Sequence, residues 1–298
     1  MSNNRLCGVF APLSTPFDDN EDVDVKSLYF NMERYADSGL HGFLALGSNG
    51  ENKSLLHEEK FLVLEIILKS RAKNQLVITG CIAESLRETI YMAKKAESMG
   101  CNFVALLPPN YFKKQMTDLV LIRYFTDVAD AIRIPCLLYN APGFAGGLTL
   151  SPKMVKELAS HPNIVGVKDS SVGNIDSFLS EVPEDFSVLA GSINNFFQGL
   201  VSGAAGGIIS LANSFPQLPL KLYELYITGR YEECIALNKR LLRINKSVSG
   251  QGGVASVKAA MDIAGFVGGL PRRPLLPLSV EEREKLRQDL HKEGLVVP

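Results

Sequence analysis

The chain lacks most of the short signatures that name a chemistry outright, and each absence narrows the field. Its five cysteines, Cys7, Cys81, Cys101, Cys136 and Cys234, never form a C-x-x-C pair and lie in or beside apolar runs. Such scatter argues against zinc ribbons and disulfide frameworks and predicts reduced, buried thiols in a cytoplasmic protein. The histidines, His41, His57, His161 and His291, make no H-E-x-x-H or similar pair, so no metal site is expected. No basic block or stripe exists and the formal net charge is -1, which excludes nucleic acid and anionic membrane as natural partners. Residues 1–5 lead straight into a strand-like run without the apolar core of a secretory signal. Residues 186–220 carry no charge, but asparagine, glutamine, proline and glycine interrupt them too often to leave a membrane span. Two buried strands joined by a small-residue helix account for that stretch better. There is no Walker lysine, no G-x-G-x-x-G after the first strand, and no internal repeat or low-complexity tract. A nucleotide site is therefore not expected, and neither is any other cofactor.

What is present is core material. Across 298 residues the chain is 46% hydrophobic and 21% charged, enough to bury a sizeable interior. Short apolar runs recur at 8–13, 42–46, 76–79, 103–107, 136–139, 164–167, 187–190 and 207–210, eight in all. They are continuous, without apolar/polar alternation, as parallel strands covered on both faces should be. Helical patterns separate most of them. Leu28, Met32, Tyr35 and Ala36 share a face that Gly39 closes, and Ser85 with Glu88 opens a helix that Gly100 ends. Ser151 and Pro152 suit a cap and first position. This alternation predicts the α/β class, a (β/α)8 TIM barrel over residues 1–229, with an open doubly wound sheet as the alternative. Beyond Gly229 the pattern is helical only: 231–248, 254–264, and a last charged helix capped by Ser279 and Glu282. Residues 230–298 thus read as a C-terminal helical extension.

Active sites of such barrels form at the C-terminal ends of the strands. Lys168 follows the run Ile164-Val165-Gly166-Val167 and precedes Asp169-Ser170-Ser171. Alone, such a lysine commonly starts a solvated loop. At the end of a buried strand, however, desolvation disfavours its ammonium form, and a neutral amine can attack a ketone. The preceding strand-like run ends in Tyr139, a phenol able to relay protons. After the second run comes Gly47-Ser48-Asn49-Gly50-Glu51, a turn whose hydroxyl, amide and backbone N–H groups suit a small anion. Tyr111 follows the fourth run, Gly191-Ser192 the seventh, and Ile209-Ser210 closes the eighth. Asn194 and Asn195 suit a polyol ligand or a helix cap equally.

Taken in order, Gly47-Ser48-Asn49-Gly50-Glu51, Tyr139-Asn140-x-Pro142, Gly166-Val167-Lys168-Asp169-Ser170 and Gly206-Gly207-Ile208-Ile209-Ser210 resemble signatures of a known superfamily. It is that of dihydrodipicolinate synthase and N-acetylneuraminate lyase, lysine-dependent class I aldolases and lyases on a (β/α)8 barrel. The resemblance spans nearly the whole chain. It implies that Lys168 forms a Schiff base with a 2-oxo acid such as pyruvate and that Tyr139 relays protons. It further implies that Ser48 and Asn49 bind the oxo-acid carboxylate and that Tyr111 is lent to a neighbouring subunit's site. Gly47, Gly191, Ser192, Ile209 and Ser210 complete the expected substrate-binding set. The expected partners are a small 2-oxo acid and further copies of the chain, in a homotetramer built from two dimers.

One departure bears on the reaction. Phe144 stands where the name-giving synthase places an arginine for its second substrate's carboxylate, and phenylalanine cannot form that bidentate pair. The motifs around Lys168, with His161-Pro162-Asn163 and the tail Gly268-Gly269-Leu270-Pro271-Arg272-Arg273-Pro274-Leu275, look most like 4-hydroxy-2-oxoglutarate and 2-keto-3-deoxy-sugar-acid aldolases. The expected reaction is reversible cleavage of a 4-hydroxy-2-oxo acid. The alternatives are condensation of pyruvate with aspartate semialdehyde, dehydration of a 3-deoxy-2-oxo sugar acid, or 2-oxo-acid binding without turnover.

Overall fold

Each short apolar run becomes a strand because its side chains find cover on both faces. The computed structural model describes residues 6–171, 173–250 and 252–296; residues 1–5, on which the reading of no secretory signal rests, lie outside them. In chain order the elements are β1 (Gly8–Pro12), α1 (Val25–Ala36), β2 (Gly42–Ala45), α2 (His57–Ser70), β3 (Leu76–Cys81), α3 (Leu86–Met99), β4 (Phe103–Leu106) and α4 (Asp118–Asp130). Then follow β5 (Cys136–Asn140), α5 (Pro152–Leu158), β6 (Ile164–Asp169), α6 (Ile175–Leu179), β7 (Ser187–Ala190), α7 (Ile193–Ser202) and β8 (Gly206–Ile208). The chain ends with α8 (Gln217–Ile227), α9 (Tyr231–Val248), α10 (Gly253–Ile263) and α11 (Val280–Lys292). The strands pair in chain order into a closed parallel barrel, the (β/α)8 class expected of the alternation. Every residue of β1, β2, β4, β5, β7 and β8 is buried.

Helix ends follow local chemistry. The Ser85 hydroxyl accepts from the Glu88 amide, and Gly100, at φ +93°, closes α3 in the left-handed conformation a glycine adopts without a Cβ clash. Ser151 caps α5 with Pro152 behind it, and Ser279 and Glu282 form both arms of a capping box on α11. Asn194 and Asn195 lie inside the first turn of α7, whose cap is Ser192. Such caps each contribute about 1 kcal/mol.

Most strand ends fall within a residue or two of the apolar runs, and two of the shifts bear on the site. β6 continues through Lys168 and Asp169, because both stay in register with Tyr139 and Asn140 of β5. β8 stops at Ile208, so Ile209 and Ser210 lie past it and Ser210 opens a 3-10 turn, Ser210–Asn213. The Asn213 amide explains that turn, since it donates to the carbonyls of Pro12 (2.9 Å) and Ser210 (3.1 Å) and pulls the chain out of the strand.

Contacts group the chain into two units. The first is Met1–Gly8 with Leu76–Ile208 and carries β3 to β8 and α3 to α7, where α3 packs on α4, α4 on α5, and α6 on α7. The second is Val9–Gln75 with Ile209–Pro298. In it α1 packs on α2, α8 on α9, and α9, α10 and α11 on one another. Gly229, after which the helical extension is read to begin, lies between α8 and α9. Among the described residues no helix is long and apolar enough to cross a membrane.

All five cysteines are free and four are buried; Cys7 is exposed because it precedes the buried run of β1. Burial pushes the Cys136 thiol up to about 12. A thiol reagent at neutral pH is therefore expected to label Cys7 alone in the native protein, and the others only after denaturation. Peptide mapping that finds Cys81, Cys101, Cys136 or Cys234 labelled as fast as Cys7 would contradict this packing.

Candidate active site

In the first unit, β5 and β6 start in one register and finish in another. Cys136 faces Ile164, but Leu137 faces Gly166, so Val165 is the extra residue of a bulge. The shift sets Tyr139 opposite Lys168 and Asn140 opposite Asp169. Lys168 is only 3% exposed, and its Nζ stands 4.1 Å from the centroid of the Tyr139 ring. That ring is packed among Ile82, Leu107, Ala141 and Ala145.

The alternate residues latch the same strand ends. The Asn140 amide donates to Asp169 Oδ1 at 2.7 Å, and the Leu150 amide donates to Asn140 Oδ1 at 2.9 Å. The Ser171 amide and hydroxyl also donate to Asp169 Oδ1, at 3.1 and 2.7 Å. Gly191 donates its N–H to the Asp169 carbonyl at 2.7 Å. A Cβ on Gly191 would run into Ser170 Oγ and stand 2.7 Å from the Asp169 carbonyl, so only glycine lets β7 end this close to β6.

The other expected site residues of this unit each have local contacts of their own. Tyr111 lies in the loop after β4, 80% exposed, its ring edge-on to Phe112. The backbone amides of Asn110 and Tyr111 donate to Glu84 Oε2 at 2.8 and 2.9 Å, which fixes that loop. Ser192 is the α7 cap, accepting from the Asn194 amide at 3.2 Å. Phe144 is exposed in the 3-10 turn Pro142–Phe144. A cation reaches the same stretch: Lys113 Nζ occupies the space a Cβ on Gly147 would need.

The second unit holds the anion-type turn. Asn49 Nδ2 donates to Ser210 Oγ at 2.8 Å, and the Ile209 amide to the Phe10 carbonyl at 2.9 Å. Gly47 is buried, and Ser48 and Asn49 are half-buried. The turn is bracketed by two non-glycine residues in the left-handed region, Leu46 at φ +54° and Glu51 at φ +52°. Such backbone costs on the order of 1–3 kcal/mol per residue and persists only where neighbours impose it.

Of the neighbours, Lys258 is a residue that sequence reasoning passed over, and Arg272 was noted only as part of the tail motif. Lys258 of α10 forms an ion pair with Glu51 Oε1 at 2.6 Å, with side chains 1% and 2% exposed. The approach lies off the carboxylate's hydrogen-bonding direction, since that oxygen has no aligned donor among the described residues. Lys258 also donates to the Leu270 carbonyl at 2.7 Å and sits 4.4 Å over the Phe17 ring. Burial lowers the Lys258 pKa from the usual lysine range, against the opposing pull of Glu51. The Arg272 amide donates to Glu51 Oε2 at 2.9 Å, and its guanidinium forks onto both oxygens of Glu59 at 2.6 and 2.7 Å. One signal was legible: Lys258 is a cation inside an apolar helical stretch, between Val257 and Ala259-Ala260-Met261, and such a charge needs a buried partner. Among the described residues no group of three or more His, Cys, Asp or Glu side chains is placed to hold a metal.

Comparison with known proteins adds three relatives and a family. The model of the Dihydrodipicolinate synthetase family matches residues 5–293. A protein of Emericella nidulans named "Probable 4-hydroxy-2-oxoglutarate aldolase, mitochondrial" is 36% identical over 97% of this chain and 95% of its own. The 4-hydroxy-tetrahydrodipicolinate synthase of Methanopyrus kandleri is 32% identical over 98% of both. Among solved structures, a prophage protein of the dihydrodipicolinic acid synthase family from E. coli K12, in complex with pyruvate, is 27% identical. It superposes with a TM-score of 0.91 over 97% of this chain and 99% of that one.

Two variants test these contacts. Asn140→Ala strips a donor from the buried Asp169 carboxylate and an acceptor from the Leu150 amide, and is expected to cost about 1–3 kcal/mol in urea unfolding. A loss near zero would mean the latch is not made. The Arg272 guanidinium holds the Glu59 carboxyl below the usual carboxylate range. A carboxyl depressed in the folded state contributes stability above its unfolded pKa, and that contribution fades as pH falls through the folded value. Stability should thus decline below about pH 5, and Arg272→Leu should make the decline shallower. Equal acid slopes in wild type and variant would rule the linkage out.

Proposed function

The chain belongs to the Dihydrodipicolinate synthetase family of lysine-dependent lyases and aldolases, and from that membership we propose that it cleaves 4-hydroxy-2-oxo acids reversibly to pyruvate and an aldehyde. With 4-hydroxy-2-oxoglutarate the aldehyde is glyoxylate; 2-keto-3-deoxy-gluconate-type acids are the related substrates. The observation that carries the reading is the buried Lys168 amine over the face of the Tyr139 ring, on adjacent strand ends.

The Lys168 amine adds to the C2 ketone and water leaves, giving an iminium that acts as an electron sink next to C3. Tyr139 takes the C4 hydroxyl proton while the C3–C4 electron pair moves into the enamine and the aldehyde departs. C3 is then protonated, and water hydrolyses the iminium to release pyruvate and free Lys168. Ser48 and Asn49, with the Gly47 turn, hold the oxo-acid carboxylate so that the ketone meets the amine. Gly191, Ser192, Ile209 and Ser210 line the substrate. Tyr111, exposed in a single chain, serves a neighbouring subunit in a homotetramer of two dimers. A cytoplasmic setting, read from the free cysteines, belongs to the same proposal.

The Emericella relative's name supports the aldolase assignment, and Phe144 disfavours a second substrate carboxylate at its position. A second reading is synthase chemistry with pyruvate and aspartate semialdehyde. It draws on the Methanopyrus relative's name and on Lys113 beside Gly147, a cation that could replace the missing arginine.

Incubation with pyruvate followed by borohydride is expected to leave a covalent adduct on Lys168, absent in Lys168→Ala. Tyr139→Phe should keep the adduct and lower cleavage about 10²–10⁴-fold. The cleavage assay couples pyruvate release from 4-hydroxy-2-oxoglutarate to lactate dehydrogenase. Undiminished turnover in Lys168→Arg would overturn the mechanism. An adduct with no cleavage would shift weight to a sugar-acid dehydratase, and faster turnover with aspartate semialdehyde would favour the synthase.

A further inference from the structure

We propose that Lys258 and Glu51 are positioning residues, a buried ion pair that sets how tightly the turn Gly47-Ser48-Asn49-Gly50 grips a substrate carboxylate. The inference rests on reading Ser48 and Asn49 as the carboxylate cradle.

The turn is strained at both ends. It is entered through Leu46 and left through Glu51, both left-handed and both carrying a Cβ. Contacts close by in sequence include the Glu51 amide to the Ser48 carbonyl at 3.1 Å, the Asn52 amide to the Gly47 carbonyl at 3.4 Å, the Ser54 amide to the Glu51 carbonyl at 2.8 Å and Asn52 Nδ2 to the Leu46 carbonyl at 2.8 Å. Thr15 Oγ1 adds a bond to the Gly50 carbonyl at 2.9 Å. Asn49 Nδ2 donates to Ser210 Oγ at 2.8 Å, and the restraint on the Glu51 side chain comes from the far end of the chain. Lys258 and the Arg272 amide take one oxygen each of the Glu51 carboxylate, at 2.6 and 2.9 Å.

Both clamping residues are themselves immobilised. Lys258 is tied to the Leu270 carbonyl and the Phe17 ring, and Gly268 approaches its backbone so closely that no Cβ would fit. Arg272 is anchored by Glu59, by the Ser54 carbonyl at 2.7 Å and by the Glu21 carbonyl. The clamp therefore gives the Glu51 side chain one allowed direction and holds its backbone left-handed.

Net stability does not explain the arrangement. A buried ion pair is commonly matched or exceeded by apolar residues of equal volume. What charges supply, and apolar side chains do not, is a strong preference for one partner of opposite sign, because a buried charge left without it is costly. Relaxing Glu51 to ordinary backbone would swing the Ser48 and Asn49 amides away from a bound carboxylate. The reactivity of the Lys168 amine towards a carbonyl would not depend on that movement.

The test is the paired variant Glu51→Gln with Lys258→Met, which removes both charges and strands neither. Borohydride trapping on Lys168 is titrated with pyruvate and, separately, with hydroxyacetone, which has the carbonyl without the carboxylate. The pyruvate concentration for half-trapping should rise about 10–100-fold, while that for hydroxyacetone stays unchanged. Glu51→Gln alone keeps an acceptor for the Arg272 amide but strands the Lys258 ammonium, and should shift half-trapping by pyruvate in the same direction at least as far. Unchanged half-trapping by pyruvate in both variants would overturn the proposal, as would an equal rise for both ketones, the mark of a general structural role. Absence of any Lys168 adduct in the wild type would sink the aldolase reading instead. Pyruvate affinity by calorimetry then decides the pair: weaker binding in the paired variant supports it, and equal binding rejects it.

Discussion

One extra residue in β6 sets which side chains meet at the strand ends of the first unit. Had β5 and β6 kept the register in which Cys136 faces Ile164, Tyr139 would lie opposite Val167, and Lys168 would point to the other face. The bulge at Val165 prevents this and places amine and phenol side by side. The residues around it accept the irregularity. Gly166 follows directly, where a Cβ would collide with the Ser187 carbonyl and stand 2.9 Å from the Ser187 Cβ. The Asn140–Asp169 hydrogen bond then fixes the shifted register from the opposite face of the strands.

The second unit solves a different problem with a different device. A turn that binds an anion, as Gly47–Gly50 is proposed to do, needs backbone N–H groups aimed at one point, which forces residues into conformations they disfavour. Glycine usually meets that demand, yet here Leu46 and Glu51 carry the left-handed positions. At Glu51 the proposed restraint is charge: turning away would leave the buried Lys258 ammonium without its carboxylate. Breaking such a pair by removing one partner typically costs about 3–5 kcal/mol, more than the strain it holds in place. A helix read from the sequence only as an appendage thus supplies the restraint on a turn some two hundred residues earlier.

The departures from the sequence reading share a cause. Lys168 was legible as the end of a buried strand, but its neighbour across the sheet was not, because a bulge leaves no mark on the pattern of apolar residues. Ser210 reads as the end of an eighth strand by hydrophobicity alone, whereas Asn213 draws it into a 3-10 turn through bonds to Pro12 and to Ser210 itself. Asn194 and Asn195 looked like cap or ligand; Ser192, one residue ahead of the helix, takes the capping bond instead.

By itself the amino-acid sequence determined what depends on neighbours within a few positions: the eight apolar runs, the caps at Ser85, Ser151 and Ser279, and the stop at Gly100. Those follow from strand and helix periods and from hydrogen bonds between residues three apart. Only the tertiary structure decided that Tyr139 faces Lys168 and that Lys258 and Arg272 close on Glu51. Register is chosen by packing across strands, and a buried charge takes its partner from whatever the fold brings beside it. Neither choice is written in local spacing.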